Sequence, residues 1–201
     1  MGKIGIVDYG AGNLLSVSKA LDYLLVEHQL VQRAEQLADV SALILPGVGA
    51  FPKAMEALRH SGLLESVREQ AGQKPFLGIC LGMQMLFDRS EEMGGADGLG
   101  LLPGTVRKIP TALKLPQIGW NQLEFWRNDR LTQDLPETAY VYFVHSYMVC
   151  PQQASDVVAC CDYGTKVPAM VSRGQLFGCQ FHPEKSGDIG IQILKNFAAL
   201  S

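Results

Sequence analysis

A basic surplus is missing from this sequence. Its 201 residues hold 17 Lys plus Arg against 20 Asp plus Glu, for a net charge of −3. No Lys/Arg run is present, so the electrostatic footprint of a nucleic-acid binder is lacking. Long apolar runs are missing too; none approaches the ~18 residues that a membrane crossing requires. The start, Met1-Gly2-Lys3-Ile4-Gly5-Ile6-Val7-Asp8, reaches an acid before a signal-peptide core could form. Ile6 stands where a myristoylation signal needs Ser or Thr. The expected address is the cytoplasm. Paired cysteines are also lacking. The five present are Cys80, Cys150, Cys160, Cys161 and Cys179, an odd number with no C-x-x-C spacing. This excludes a disulfide framework and a structural zinc site as first readings. Four of them read as small buried apolar residues; Cys80 does not.

What is present is a globular composition, 47% hydrophobic and 18% charged. The length suits one domain, residues 1–201, burying roughly 70% of the surface that its unfolded chain exposes. No repeat or linker divides it. Lys3 to Asp8 reads as a strand, followed by a helix that Asn13 can cap, with Leu14, Val17, Leu21, Leu24 and Leu25 at a 3.6 period. Gln29 to Arg33 and Ala42 to Leu45 read as strands, the second stopped by Pro46-Gly47. Pro52 to Arg59 and Leu63 to Ala71 read as helices. Pro75 to Ile79 is an apolar strand running into Cys80, with a helix expected over Leu81 to Asp88. Strand and helix in alternation imply a parallel sheet with crossover helices. Ligands then collect beyond the carboxyl ends of the strands, at loops 9–13, 46–51 and 80–84.

The second half changes character. Thr105 to Lys108, Ile118 to Phe125, Ala139 to Cys150, Val157 to Tyr163, Ala169 to Ser172 and Leu176 to Gln180 read as strands. Several are expected to extend the sheet antiparallel. Ile189 to Leu200 closes the chain as an amphipathic helix. The whole is expected to be one α/β domain with a mixed, mainly parallel sheet flanked by helices.

Gly78-Ile79-Cys80-Leu81-Gly82 is a G-x-nucleophile-x-G pattern between strand and helix. Such an elbow holds a nucleophile above the sheet edge. Its glycines let two backbones pass closely. The helix N-terminus behind Cys80 favours negative charge, and the Leu81 N–H points where an oxyanion would form. The ordinary alternative is a buried cysteine in a plain strand-to-helix turn. Phe181-His182-Pro183-Glu184 follows the strand Leu176 to Gln180. A nucleophilic thiol needs a base, and the base needs an orienting acceptor. In an extended segment His182 and Glu184 project to one side. The order Cys, His, Glu differs from the Ser, Asp, His order of α/β-hydrolases. Leu45-Pro46-Gly47-Val48-Gly49-Ala50-Phe51 could turn N–H groups toward an anion, though by itself it reads as a flexible turn.

Together these motifs resemble the class I, triad-type glutamine amidotransferases over essentially the whole chain. Gly78-Ile79-Cys80-Leu81-Gly82-Met83-Gln84 is similar to the family's nucleophile motif, and His182-Pro183-Glu184 to its base and orienter. Pro46-Gly47-Val48-Gly49-Ala50-Phe51, Gly119-Trp120-Asn121, Phe143-Val144-His145-Ser146-Tyr147 and Gln180-Phe181-His182-Pro183-Glu184-Lys185-Ser186 resemble one branch of it. That branch is the glutaminase subunits of imidazole glycerol phosphate synthase, in histidine biosynthesis. The resemblance implies a flavodoxin-like fold and hydrolysis of glutamine to glutamate and ammonia without metal or organic cofactor. It implies Cys80 as nucleophile, His182 as general base and acid, and Glu184 as orienter. Leu81 and Gly47, Val48 and Gly49 would serve the oxyanion; Gln84, Glu92, His145, Ser146 and Tyr147 would recognise glutamine. It further implies a heterodimer with a (β/α)₈-barrel cyclase and a protected ammonia path, with Asn13, Tyr142 and Lys185 at the interface or gate. Glutaminase subunits of this kind are poorly active until the partner is occupied, and the 47–49 loop is a physical candidate for the switch. Three rivals remain: a glutaminase for pyridoxal phosphate synthesis, which usually carries Gly-Gly-Glu-Ser where this chain has Gly47-Val48-Gly49-Ala50; a cysteine peptidase or amidase on a similar fold; and a non-catalytic scaffold retaining the fold, against which the intact Cys80, His182 and Glu184 speak.

Overall fold

Apolar side chains alternating along short strands set the architecture. In the computed structural model, which describes residues 2–201, β1 (Ile4–Val7) leads to α1 (Leu14–Tyr23), β2 (His28–Val31), β3 (Ala42–Gly47), α2 (Phe51–His60), α3 (Leu64–Ala71), β4 (Phe76–Cys80) and α4 (Leu81–Met85). The second half adds β5 (Phe87–Ser90), β6 (Ala96–Asp97), β7 (Leu102–Lys108), β8 (Gln117–Gln122), β9 (Glu124–Phe125), β10 (Tyr140–His145) and β11 (Tyr147–Pro151). It ends with β12 (Val157–Asp162), β13 (Lys166–Arg173), β14 (Leu176–Cys179) and α5 (Gly187–Ala198). An eight-stranded sheet runs β2-β1-β3-β4-β14-β13-β12-β9. Strands β2 to β14 in that order pair in parallel. The remaining three join antiparallel. This is the mixed, mainly parallel sheet expected from the sequence.

Successive strand residues feed opposite faces. Ile4, Ile6, Ile44, Leu77 and Ile79 enter one core with Val17 and Leu21 of α1 and Ile193, Leu194 and Phe197 of α5. Val7, Leu43, Leu45 and Phe76 enter the other with Phe51, Met55 and Leu58 of α2 and Val67 of α3. A sheet covered on both faces explains the near-continuous apolar strands. Each such Leu, Ile or Phe contributes roughly 1.5–3 kcal/mol by its burial. A smaller sheet lies on each side. The antiparallel pair β8 and β10 sends Val141 and Phe143 into the first core. The four-stranded sheet β11-β7-β5-β6 sends Phe87, Val106 and Val149 into the second.

The structure differs from the sequence reading in several elements. The helix expected over Leu81 to Asp88 ends at Met85, and Phe87 opens a strand that pairs in parallel with β7. All of α4 is buried, so it has no polar face to give it a helical period. The apolar run Ala139 to Cys150 breaks at Ser146, and its halves join different sheets. Leu24 and Leu25 lie past the end of α1, with Leu25 at φ +56 and 93% exposed. β3 does not stop at Leu45 but continues through Pro46-Gly47. Beyond Ile44 it pairs only with β4, and proline is tolerated on such an edge.

Candidate active site

Cys80 ends β4 and precedes α4 with φ +55 and ψ −110. Non-glycine residues rarely occupy this region, and holding one there costs roughly 1–3 kcal/mol. The surrounding backbones enforce it. A Cβ on Gly78 would lie 2.6 Å from the Gly82 carbonyl oxygen, and one on Gly82 would lie 1.8 Å from the Leu45 oxygen. A Cβ on Gly47 would lie 2.7 Å from the Gly82 nitrogen. The glycines of the elbow and of the 47–49 loop thus interlock. Because α4 is only five residues long, its support for negative charge comes from the free N–H groups of one turn.

The parallel register sets Gly47 beside Cys80. Val48 and Gly49 continue into a cavity of about 390 Å³ that Cys80 and Leu81 also line. Gly49 has φ +95, and no atom lies within 4 Å of where a Cβ would sit. The peptide before this loop is anchored: the buried Tyr9 hydroxyl donates to the Pro46 carbonyl at 3.0 Å. Burial, then the charge of nearby Cys80, push the Tyr9 phenol up, so it remains a donor.

β14 lies next to β4 in parallel, with Cys179 opposite Ile79. Its continuation therefore carries His182 to the Cys80 end of the sheet, where His182 lines the same cavity. His182 Nδ1 and Glu184 Oε1 are 2.8 Å apart, with side-chain exposures of 2% and 0%. The segment is not extended, contrary to the expectation from sequence; Pro183–Lys185 is a turn of 3-10 helix, and this turn brings the two side chains together. It is pinned to β10: His182 N–H donates to the Tyr142 carbonyl at 3.1 Å, and the Ser186 hydroxyl donates to the His182 carbonyl at 2.7 Å. Burial alone pushes the His182 imidazole down. Hydrogen bonding to Cys80 and Glu184, and the charge on both, outweigh it and lift the ring from 6.5 to about 9. These interactions favour the protonated ring, in which both nitrogens donate.

Asn13 stands at the N-cap position of α1 but makes no side-chain cap. Its amide donates to Glu184 Oε1 at 3.1 Å instead, which the sequence did not reveal. Tyr142 is half-buried and Lys185 exposed on the turn that carries His182 and Glu184.

The other side of the cavity is formed by Gln84, Glu92, His145, Ser146 and Tyr147. One oxygen of Glu92 is committed: it accepts from the Phe51 N–H at 2.7 Å and so caps α2. His145 Nδ1 lies 2.7 Å from the Tyr147 carbonyl, which fixes it as the protonated nitrogen. Burial pushes the His145 imidazole down to about 4, so the ring is neutral. Its Nε2 is an acceptor with no partner among the described residues. Gln84 donates from Nε2 to the Tyr147 carbonyl and to Gln180 Oε1, both at 3.0 Å. The fully buried Gln180 in turn donates to Cys80 Sγ at 3.8 Å. Gln180, Pro116 and Val144 are additions to the residues singled out from sequence. Only the polar Gln180 at the end of an apolar strand carried a signal.

The sequence profile of the family described as "Glutamine amidotransferase class-I" matches residues 5–200. "Imidazole glycerol phosphate synthase subunit HisH" of Bacillus cereus (strain G9842) is 51% identical over 196 residues, 96% of this chain and 93% of that protein. The protein of the same name from Bacillus cytotoxicus is 48% identical over 197 residues, with 96% and 93% covered. Among solved structures, "Crystal structure of glutamine amidotransferase" superposes with a TM-score of 0.78 at 22% identity, covering 98% of this chain and 97% of that one. "Structure of PurLQS from Thermotoga maritima" does so with a TM-score of 0.77 at 19% identity, covering 98% of both chains. These two show the likeness of fold. With the profile spanning nearly its whole length and relatives at about half identity, the chain belongs to the class I glutamine amidotransferase family.

Proposed function

We propose that this chain, acting as one domain over residues 1–201, is the glutaminase subunit of an imidazole glycerol phosphate synthase in histidine biosynthesis. The relatives of that name at about half identity support the pathway. The reading of the site rests on one observation: a strained cysteine and a carboxylate-held histidine face a single cavity. The proposed address is the cytoplasm; no helix among the described residues is long and apolar enough to cross a membrane.

Cys80 sulfur attacks the side-chain carboxamide carbon of glutamine. Backbone N–H groups of Leu81 and of the Gly47–Val48–Gly49 segment hold the oxyanion; losing one such donor typically costs ~10²–10³ in rate. His182, charged at rest, gives its proton to the departing nitrogen, and ammonia leaves. The neutral ring then takes a proton from water, whose oxygen adds to the thioester carbon; the C–S bond breaks, glutamate is released, and the sulfur leaves as the thiolate beside the recharged ring. Glu184 holds the ring through Nδ1. Gln84 has spent both amide hydrogens inside the protein and offers its oxygen, an acceptor for substrate N–H groups. The uncommitted oxygen of Glu92 suits the substrate ammonium, with His145, Ser146 and Tyr147 beside it in the cavity wall. No metal or organic cofactor enters these steps.

Ammonia released into water is diluted and protonated. A cyclase partner, expected as a (β/α)₈ barrel, would receive it through a protected path. It would join the nitrogen to an N'-linked ribulosyl formimino carboxamide ribonucleotide, giving imidazole glycerol phosphate and an aminoimidazole carboxamide ribonucleotide. An exposed aromatic face supports the docking site. Ile118, Trp120 and Tyr140 project from β8 and β10 at 60%, 55% and 49% exposure, and the Trp120 ring packs edge-on against Tyr142. Tyr142 is the residue whose carbonyl pins His182. Asn13 and Lys185 border the same turn.

The test is Cys80→Ala. Glutamine hydrolysis should disappear while the melting transition is kept; retention of full activity would overturn the assignment.

A further inference from the structure

Three hydrogen bonds link the cavity wall to the sulfur of Cys80, and their polarity is fixed at one end. The Tyr147 carbonyl can only accept. The amide group of Gln84 facing it at 3.0 Å is therefore the NH₂, and the second hydrogen of that NH₂ goes to Gln180 Oε1. Gln180 is thereby turned so that its own NH₂ faces Cys80 Sγ at 3.8 Å. Reversing either amide would set a carbonyl oxygen against another acceptor. The same Tyr147 carbonyl takes the Nδ1 hydrogen of His145, so one backbone group orders two side chains of the wall. Gln84 and Gln180 are 4% and 0% exposed. In so dry a place a polar side chain is retained only if its hydrogen bonds are made, and each is then stronger than in water.

We propose that Gln180 is a positioning residue for the nucleophile, giving its amide hydrogen to Cys80 sulfur and fixing the sulfur's direction through the relay from Tyr147 and Gln84. This rests on Cys80 being the nucleophile. A second contact then complements His182: the ring handles the proton, and the Gln180 amide holds the sulfur in direction without competing for the proton. The Gln180 backbone is anchored independently, its N–H on the Ala169 carbonyl at 2.8 Å, so the side chain is not required to hold the strand. The relay also joins the nucleophile to the 145–147 segment across sequence separations of 96 and 63 residues.

The test is Gln180→Met, which keeps length and bulk and removes the donor. Glutamine hydrolysis is measured with the cyclase partner present, and alkylation of Cys80 by iodoacetamide on the same preparation. The expected result is a kcat lower by about tenfold at unchanged KM, with alkylation at pH 7 slowed by about tenfold, as for loss of one hydrogen bond to a charged acceptor. A role confined to packing would lower the melting temperature and leave the alkylation rate of the folded fraction alone. Cys80→Ala is run in parallel: if it stays active, the nucleophile assignment fails; if it is dead while Q180M keeps wild-type kcat and alkylation, only the role of Gln180 fails. Should Q180M not fold, the wild-type protein decides. The side-chain amide resonances of Gln180 should shift when Cys80 is alkylated, and unchanged resonances would overturn the proposal.

Discussion

Cys80 holds its unfavourable backbone angles because three glycines let neighbouring chains close around it. Gly82→Ala should therefore do more than add a methyl group. Its Cβ would overlap the Leu45 carbonyl oxygen, which cannot move without disturbing β3 and the loop beyond it. A loss of at least roughly 3 kcal/mol is expected in urea unfolding, with activity lost in any folded fraction; a variant of native stability would contradict the packing described. The histidines give a pH signature. His182 is lifted from 6.5 to about 9, so the folded chain holds that proton more tightly than the unfolded one. Its stabilisation is fully present below pH 6.5 and is lost as pH rises through about 9. His145 is lowered from 6.5 to about 4, so the unfolded chain binds that proton more tightly, and stability falls as pH drops from 6.5 through about 4. The stability advantage of wild type over His182→Gln should shrink between pH 6.5 and 9, measured by urea midpoints across pH. A gap of constant size would contradict the charged-ring assignment. Asn13→Ala should leave the fold intact and lower kcat by about tenfold, since Glu184 loses one of the donors that set its orientation.

At the scale of elements, the 47–49 loop follows a fixed point. Tyr9 anchors the Pro46 carbonyl, while Gly49 has open space about it. Rotation of a peptide is thus confined to the residues after Pro46, where an N–H could be presented or withheld. Tyr9→Phe keeps the ring and removes the anchor. The expected cost is roughly 1 kcal/mol in stability together with a several-fold fall in kcat at unchanged KM; unchanged kcat would show that the loop does not depend on this hydrogen bond. The elements that build the elbow were legible in the sequence because each is local: an apolar strand, a cysteine between glycines, and His182-Pro183-Glu184 after another strand. The elements that failed are those whose identity depends on distant neighbours. α4 is buried on every side and carries no period. The single apolar run from Ala139 to Cys150 is divided by the demands of two sheets, one pairing with β8 and the other with β7. The relay through Gln84, Tyr147 and Gln180 exists only because that division places the Tyr147 carbonyl beside α4.

Across the whole molecule, the parallel strands of the large sheet carry the cysteine and the histidine, while α4 and the two smaller sheets supply the wall opposite them. The motifs had indicated one site at the carboxyl edge of the strands. They could not show that the aromatic face of β8 and β10 lies directly behind the turn that carries His182. If the cyclase docks on this face, as proposed, a partner seated on Trp120 would be linked to the base through the Tyr142 carbonyl that holds His182. Trp120→Ala should weaken cyclase binding by about thirtyfold, as for a central tryptophan in an interface worth ~2 kcal/mol, while leaving the melting temperature of the isolated chain unchanged. Unaltered affinity would move the docking surface elsewhere. The most direct test of the central claim is the release of ammonia and glutamate from glutamine, measured with the purified chain alone and then with its cyclase partner carrying the cyclase ligand. Strong stimulation by the occupied partner, abolished by Cys80→Ala, is the expected result; no glutamine turnover in either mixture, or turnover that survives the loss of Cys80, would contradict it.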